Sequence, residues 1–165
     1  MHVLIATTGA LSPDPVVEFT RHLLAGTGRV SLTTVIEVPR DFLDTLDVAD
    51  WHPLQDQDVE DAKDSLAARY VEERGRRVTE PVLKALEAAT IPCDVVYLEG
   101  ADAAETISRA ANELDADVVI LGATRQIFAR DAWESVSARV MLESGKPVLV
   151  VPAARNGNGD EPPGS

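Results

Sequence analysis

Chemistry in this chain would centre on the loop that follows Val118–Leu121. That apolar run ends in Gly122, and Thr124, Arg125 and Arg130 precede Ser135 and Val136, where a helical pattern takes over. A loop opening with glycine between a buried strand and a helix is where a nucleotide phosphate would sit. Glycine lets backbone N–H groups approach closely, and the helix N-terminus favours an anion. The other candidate is Thr7-Thr8-Gly9-Ala10, directly after apolar Val3–Ala6. Both have the frame of a phosphate loop and lack most of the residues a phosphate needs; Thr8-Gly9-Ala10-Leu11-Ser12 is no glycine–serine loop.

Other chemistries find less. His2, His22 and His52 are scattered and make no acid–base set, so no catalytic residues are expected. Cys93 follows Pro92 at the start of an apolar run and reads as a small buried hydrophobe. Residues 40–64 hold spaced acids, from Asp41, Asp44, Asp47 and Asp50 to Asp56, Asp58, Glu60, Asp61 and Asp64, against Arg40 and Lys63. The glycine turn and terminal bidentate Glu of an EF-hand are missing, so a solvated acidic connecting arm is expected and no metal. Within it Trp51 reads as a packing anchor and His52 as a surface residue.

The elements that would position these loops alternate. Val3–Ala6, Val30–Val38, Asp94–Leu98, Val118–Leu121 and Val148–Val151 read as strands. Asp14-Pro15 reads as a helix start, with Val16, Phe19, Thr20, Leu23 and Leu24 on one face. From about Asp58 to Ala89 a helical pattern runs through Val59, Ala62, Leu66 and Tyr70, then Val78, Val82, Ala85, Leu86 and Ala89. Gly75 and Pro81 predict a kink or break between them, with Thr79 as a fresh cap. Asp102-x-x-Glu105 resembles a capping box, and a last helix places Trp133, Val136, Val140 and Met141 on one face. Near-continuous apolar strands alternating with helices predict an α/β fold: a five-stranded parallel sheet with helices on both faces. Ligands of such sheets bind at the carboxyl ends of strands where the order reverses, here the ends of strands one and four.

At 165 residues and 45% hydrophobic, the chain fits one domain, residues 1–153, with a disordered tail over 154–165. The formal net charge of −13 argues against nucleic acid, whose phosphates need clustered bases. No apolar run nears the roughly 20 residues of a membrane helix. With no charged leader before Val3 and a single cysteine, a reduced cytoplasmic setting is expected. Acid excess beside only three lysines would suit a salty interior, where screening weakens self-repulsion.

The chain resembles the universal stress protein family over residues 2–152. The resemblance rests on Val3-Leu4-Ile5-Ala6-Thr7-x-Gly9, Val35-Ile36-Glu37, Asp102–Ile107 before Asp115–Gly122, and Ser135–Val140 leading to Lys146–Pro152. It implies a Rossmann-like fold of the adenine nucleotide alpha hydrolase type. ATP-binding relatives carry Gly-x-x-Gly, nine residues, then Gly-Ser/Thr between strand four and its helix. Here Gly122 and Ser135 keep their places, Arg125 and Glu134 replace the other glycines, and the loop is one residue shorter. The aspartate that holds the nucleoside in those relatives is Thr8. By the same likeness Thr7, Thr8, Gly9, Val35, Gly122, Thr124, Arg125, Ser135 and Val136 outline a vestigial nucleotide pocket. Without the likeness, Gly122 is a turn glycine, Val35 core and Ser135 a helix-start residue. Arg125 could pair with a phosphate, whereas Glu134 would repel one and itself occupy the positive helix end.

The resemblance thus implies a non-catalytic stress-response module with little or no ATP binding and no cofactor. It would form a homodimer through the last strand, Val148–Val151, and act on a protein partner. The alternative is an ATP- or AMP-binding sensor, or slow ATPase, with a modified phosphate loop.

Overall fold

A computed structural model describes residues 1–39, 41, 56–122 and 135–152, with side chains of the long second helix described from Asp64 onward. Five strands form one parallel sheet: β1 (His2–Ala6), β2 (Arg29–Ile36), β3 (Asp94–Glu99), β4 (Val118–Gly122) and β5 (Val148–Val151). Their spatial order is β3-β2-β1-β4-β5, so β1 is central and the order reverses between β1 and β4. In register, Ile5 lies beside Leu32 on one side and Ile120 on the other. All five residues of β1 are buried, as its apolar run predicts for a strand covered on both faces.

Among the described residues, four helices cover the sheet: α1 (Pro13–Leu24), α2 (Asp56–Ala88), α3 (Ala103–Glu113) and α4 (Val136–Ser144). On one face Val3, Ile5, Leu32 and Ile120 meet Val16 of α1 and Val82 and Leu86 of α2. On the other, Leu4, Ala6, Val119 and Leu121 meet Ala104, Ile107 and Ala111 of α3 and Val140 of α4. The expected helix-covered parallel sheet is the fold observed.

Several local expectations need correction. The cap of α1 is Ser12, not Asp14, with Pro13 opening the helix. Pro13 and Pro15 both fall among the first N–H positions, which have no intrahelical acceptor, so neither proline costs a bond there. No break separates Gly75 from Pro81: α2 is continuous over 33 residues. Instead of capping a new helix, the buried Thr79 hydroxyl donates back to the Gly75 carbonyl at 2.9 Å. Gly75 itself lies against the Tyr97 ring of β3, where a side chain would collide. Packing along Ala67, Val71, Gly75, Thr79, Val82 and Leu86 overrides the breakers, because these residues form one stripe at steps of three and four.

Leu66 and Tyr70 therefore stand off that stripe, 44% and 38% exposed. Phe19 and Met141 are also exposed rather than inward, because each sits at the rim of a stripe led by Val16 or Val140. The acidic arm expected over 40–64 is shorter than that, because residues 56–64 already belong to α2; apart from Asp41 its remainder, with Trp51 and His52, lies outside the described residues, as do Trp133 and the tail.

Candidate functional site

The switch point brings the strand-one loop beside the end of β4. Ala6 pairs with Leu121, and Gly122 pairs onward with Val151. β1 leads to α1 on one face and β4 to α4 on the other, the arrangement that in open parallel sheets places a ligand crevice at such strand ends.

Thr7 is buried and shapes its own loop. Its N–H donates to the Thr33 carbonyl at 3.0 Å, and its hydroxyl oxygen accepts from the Gly9 N–H at 3.0 Å. Gly9 has φ +91, which glycine adopts without the Cβ penalty, while Thr8 and Gly9 face solvent. Thr7, Thr8 and Gly9 thus follow the strand that pairs with β4, the strand ending in Gly122.

One residue at this place was not foreseen. Leu11 is 5% exposed, and its Cδ1 lies 3.2 Å from where a Cβ on Gly122 would be. An apolar side chain thus covers the α-carbon of the glycine that opens the second loop. The sequence carried a signal for it: with Ser12 as N-cap, Leu11 and Val16 hold the two positions of a hydrophobic staple, and both lie in the same core cluster.

Val35 and Val136 pack against the cluster on the opposite face, beneath α3 and α4. Ser135 is the N-cap of α4 and accepts from the Ala138 N–H at 3.3 Å; its hydroxyl also lies 3.3 Å from that of Ser137. Asp102 caps α3, accepting from the Glu105 N–H at 3.1 Å, and takes a two-oxygen contact from Arg139 at 3.0 and 2.8 Å. That cap and then the guanidinium hold the Asp102 carboxyl below its ordinary value. Asp102 and Glu143 in turn raise Arg139, which ties α3 to α4. Thr124 and Arg125, like Arg130 and Glu134, lie outside the described residues.

Cys93 precedes β3 at the amino end of the sheet, away from the crevice, and burial pushes its thiol up to about 11. Expected as a buried hydrophobe, it is only half-buried, packed at the edge of the first core cluster. His2 is at that end too, its ring held between the Leu114 carbonyl and the Ser31 hydroxyl, both at 2.9 Å. Among the described residues there is no group of three or more His, Cys, Asp or Glu that could hold a metal ion. No described helix is long and apolar enough to cross a membrane.

Comparison with known proteins agrees with this geometry. A profile of the Universal stress protein family matches residues 1–152. No curated protein matches the chain. Among solved structures, a universal stress protein in complex with cAMP superposes with TM-score 0.59 at 16% identity, covering 93% of this chain and 98% of that one. A universal stress protein family protein from Arabidopsis thaliana with AMP bound gives TM-score 0.57 at 15% identity, covering 98% and 97%. The universal stress protein from Archaeoglobus fulgidus in complex with dAMP gives 0.51 at 17% identity, covering 91% and 96%.

Proposed function

The chain belongs to the universal stress protein family, and from that premise we propose a non-catalytic stress-response module that binds ATP weakly or not at all. It works in the cytoplasm through a protein partner. The observation that supports this reading best is the buried Leu11 packed on the side-chain side of Gly122, apolar surface at the place where a phosphate loop would open. Thr8 at the switch point adds to it, offering no carboxylate to a nucleoside. Each lost backbone–phosphate bond removes about 0.5–1.5 kcal/mol, and each 1.4 kcal/mol is about tenfold in affinity.

The module is a homodimer through β5. That strand has only β4 as a described neighbour, Val150 on it is 42% exposed, and Met141 and Leu142 on the preceding helix are exposed by 49% and 66%. An open apolar edge needs pairing or cover. Sedimentation at micromolar concentration should give a dimer, and a monomer would remove this part.

A second reading is favoured by the three structural relatives crystallised with cAMP, AMP and dAMP. In it the crevice is a nucleotide sensor, with Thr8, Gly9, Gly122, Arg125 and Ser135 around the ligand. Thermal shift and calorimetry with ATP, ADP, AMP and cAMP, with and without magnesium, separate the two. A ligand present at 100 times its Kd adds about 2.7 kcal/mol of stability, a rise of roughly 5–10 °C for a chain of this size. No rise at millimolar nucleotide supports the first reading; micromolar binding transfers the function to the second.

A further inference from the structure

We propose that the outer edge of β3 takes up an extended, basic segment of a partner protein as a further strand of the sheet. This gives the protein partner of the reading above a chemistry, and it rests on that reading for there being such a partner. The surface is the edge opposite β5 and is no part of the β1/β4 switch point.

β3 stands at one end of the strand order, with β2 as its only described neighbour. Two bonds fix which backbone groups point where. The Val96 carbonyl accepts from the Thr33 hydroxyl of β2 at 2.7 Å, and the Gly100 N–H donates to the Ile36 carbonyl at 3.2 Å. Alternate residues of a strand direct their N–H and C=O to opposite edges, so with Val96 turned toward β2, Val95 and Tyr97 turn theirs outward. Edge strands are commonly blunted by a proline, a lysine, an inward charge or a bulge. Val95-Val96-Tyr97-Leu98 has none of these, and its register against β2 is unbroken from Asp94 to Glu99.

The side chains are arranged to match. Val95 and Tyr97 pack on the α2 face of the sheet. Val96 and Leu98 stand on the other face, outside the cluster that α3 and α4 cover. Val96 is 36% exposed and Leu98 half-buried. An added strand would bond the outward groups of Val95 and Tyr97 and lay alternate side chains beside this ledge.

The two ends of the strand choose between occupants. Asp94 and Glu99 are both exposed carboxylates. Twofold pairing of two copies along this edge would run antiparallel and set Asp94 opposite Glu99 twice, in chains each at −13. β5, Val148-Leu149-Val150-Val151, carries no charge to oppose a second copy. Beside the burial that mainly raises the Cys93 thiol, Asp94 and Glu87 raise it too, so the amino end of the β3 edge is acidic beyond the strand itself. A segment with lysine or arginine at the spacing of Asp94 and Glu99, around alternating apolar residues, fits both the backbone and the charge.

The test uses the full chain and a labelled, end-capped peptide with the core Lys-Val-Thr-Val-Thr-Lys, read by fluorescence anisotropy at about 0.15 M salt. Two N-methylated forms, each blocking the amides of alternate residues, report on strand pairing: one should bind as the parent does and the other at least tenfold more weakly. Glutamate in place of both lysines should also weaken binding at least tenfold. Val96→Lys puts a cation on the edge and should have the same effect, while Phe19→Lys, at an exposed site on α1, should change binding less than twofold. Equal binding of the two N-methylated forms, equal binding of the glutamate peptide, or an equal response to Val96→Lys and Phe19→Lys overturns the proposal. So does an absence of binding at millimolar peptide. Calorimetry with ATP reads the crevice separately: binding there would remove the reading above, while the peptide results alone decide the edge.

Discussion

Replacing Gly75 by alanine sets helix propensity against packing. In an open helix interior the change would gain about 1 kcal/mol. In α2 the new Cβ would lie 2.5 Å from Tyr97 Cδ1, 2.6 Å from Cγ and 3.0 Å from Cε1. Carbon atoms rest at about 3.5–4.0 Å, so the ring must retreat by about 1 Å. Its freedom is limited, because Tyr97 packs against the cluster of Ile36, Val38, Ala67 and Val71. Overpacking of this kind costs about 1–3 kcal/mol. The expected net is a loss of about 1 kcal/mol, seen as a Tm lower by about 2–4 °C. In a Tyr97→Ala background the obstacle is gone and Gly75→Ala should stabilise by about 1 kcal/mol. Urea denaturation followed by circular dichroism on the four proteins of this cycle gives the coupling, expected at about 2 kcal/mol. Equal stabilisation in both backgrounds would refute the claim that Gly75 is there to admit the ring.

Other outcomes follow from the same contacts. Asp102 has a lowered carboxyl in the folded state, so its contribution is complete above the ordinary aspartate value near pH ~3.9 and disappears as pH falls through the lowered one. The Tm difference between wild type and Asp102→Ala should therefore be full at pH 7 and close in acid below about pH 4; an undiminished difference in strong acid would exclude a role for the charge. Cys93, pushed up to about 11 by burial, should react with a thiol reagent far more slowly in the native protein at pH 8 than in urea, and equal rates would contradict its packing. Raising KCl from 0.1 to 1 M shortens the screening length from about 10 to 3 Å, so the Tm of a chain at −13 should rise; no rise would show that self-repulsion is negligible.

The strands were legible because strands buried on both faces must be apolar almost throughout, and β1 and β4 are; β5 at the edge is apolar too, although Val150 is exposed. Their alternation with helices led to the β1/β4 switch point, the end of the sheet at which the Thr7–Gly9 loop begins and β4 stops at Gly122. The long helix was less legible because its first half has two apolar rows. Periodicity identifies a row without saying which one meets the sheet, so Leu66 and Tyr70 were read inward while Ala67 and Val71 are the buried pair. Gly75 and Pro81 are local helix breakers overruled by non-local contact with Tyr97 and the sheet. Leu11 escaped because its significance depends on which residue caps α1: with Asp14 as cap the staple vanishes, and with Ser12 it appears.

The central position of β1 has a consequence for how the chain is made. Its His2 N–H donates to the Asp117 carboxylate across 115 residues of sequence, and the flanking β4 begins at Val118. At about 5–20 residues per second of synthesis, β1 waits roughly 6–23 s for that neighbour after it has been made. During that interval Val3–Ala6 can pair with β2 on one side only. The most buried strand of the finished protein is therefore the longest-exposed edge of the nascent one. Long-range closure of this kind is slow, and chains stopped before β4 retain an open apolar edge suited to aggregation.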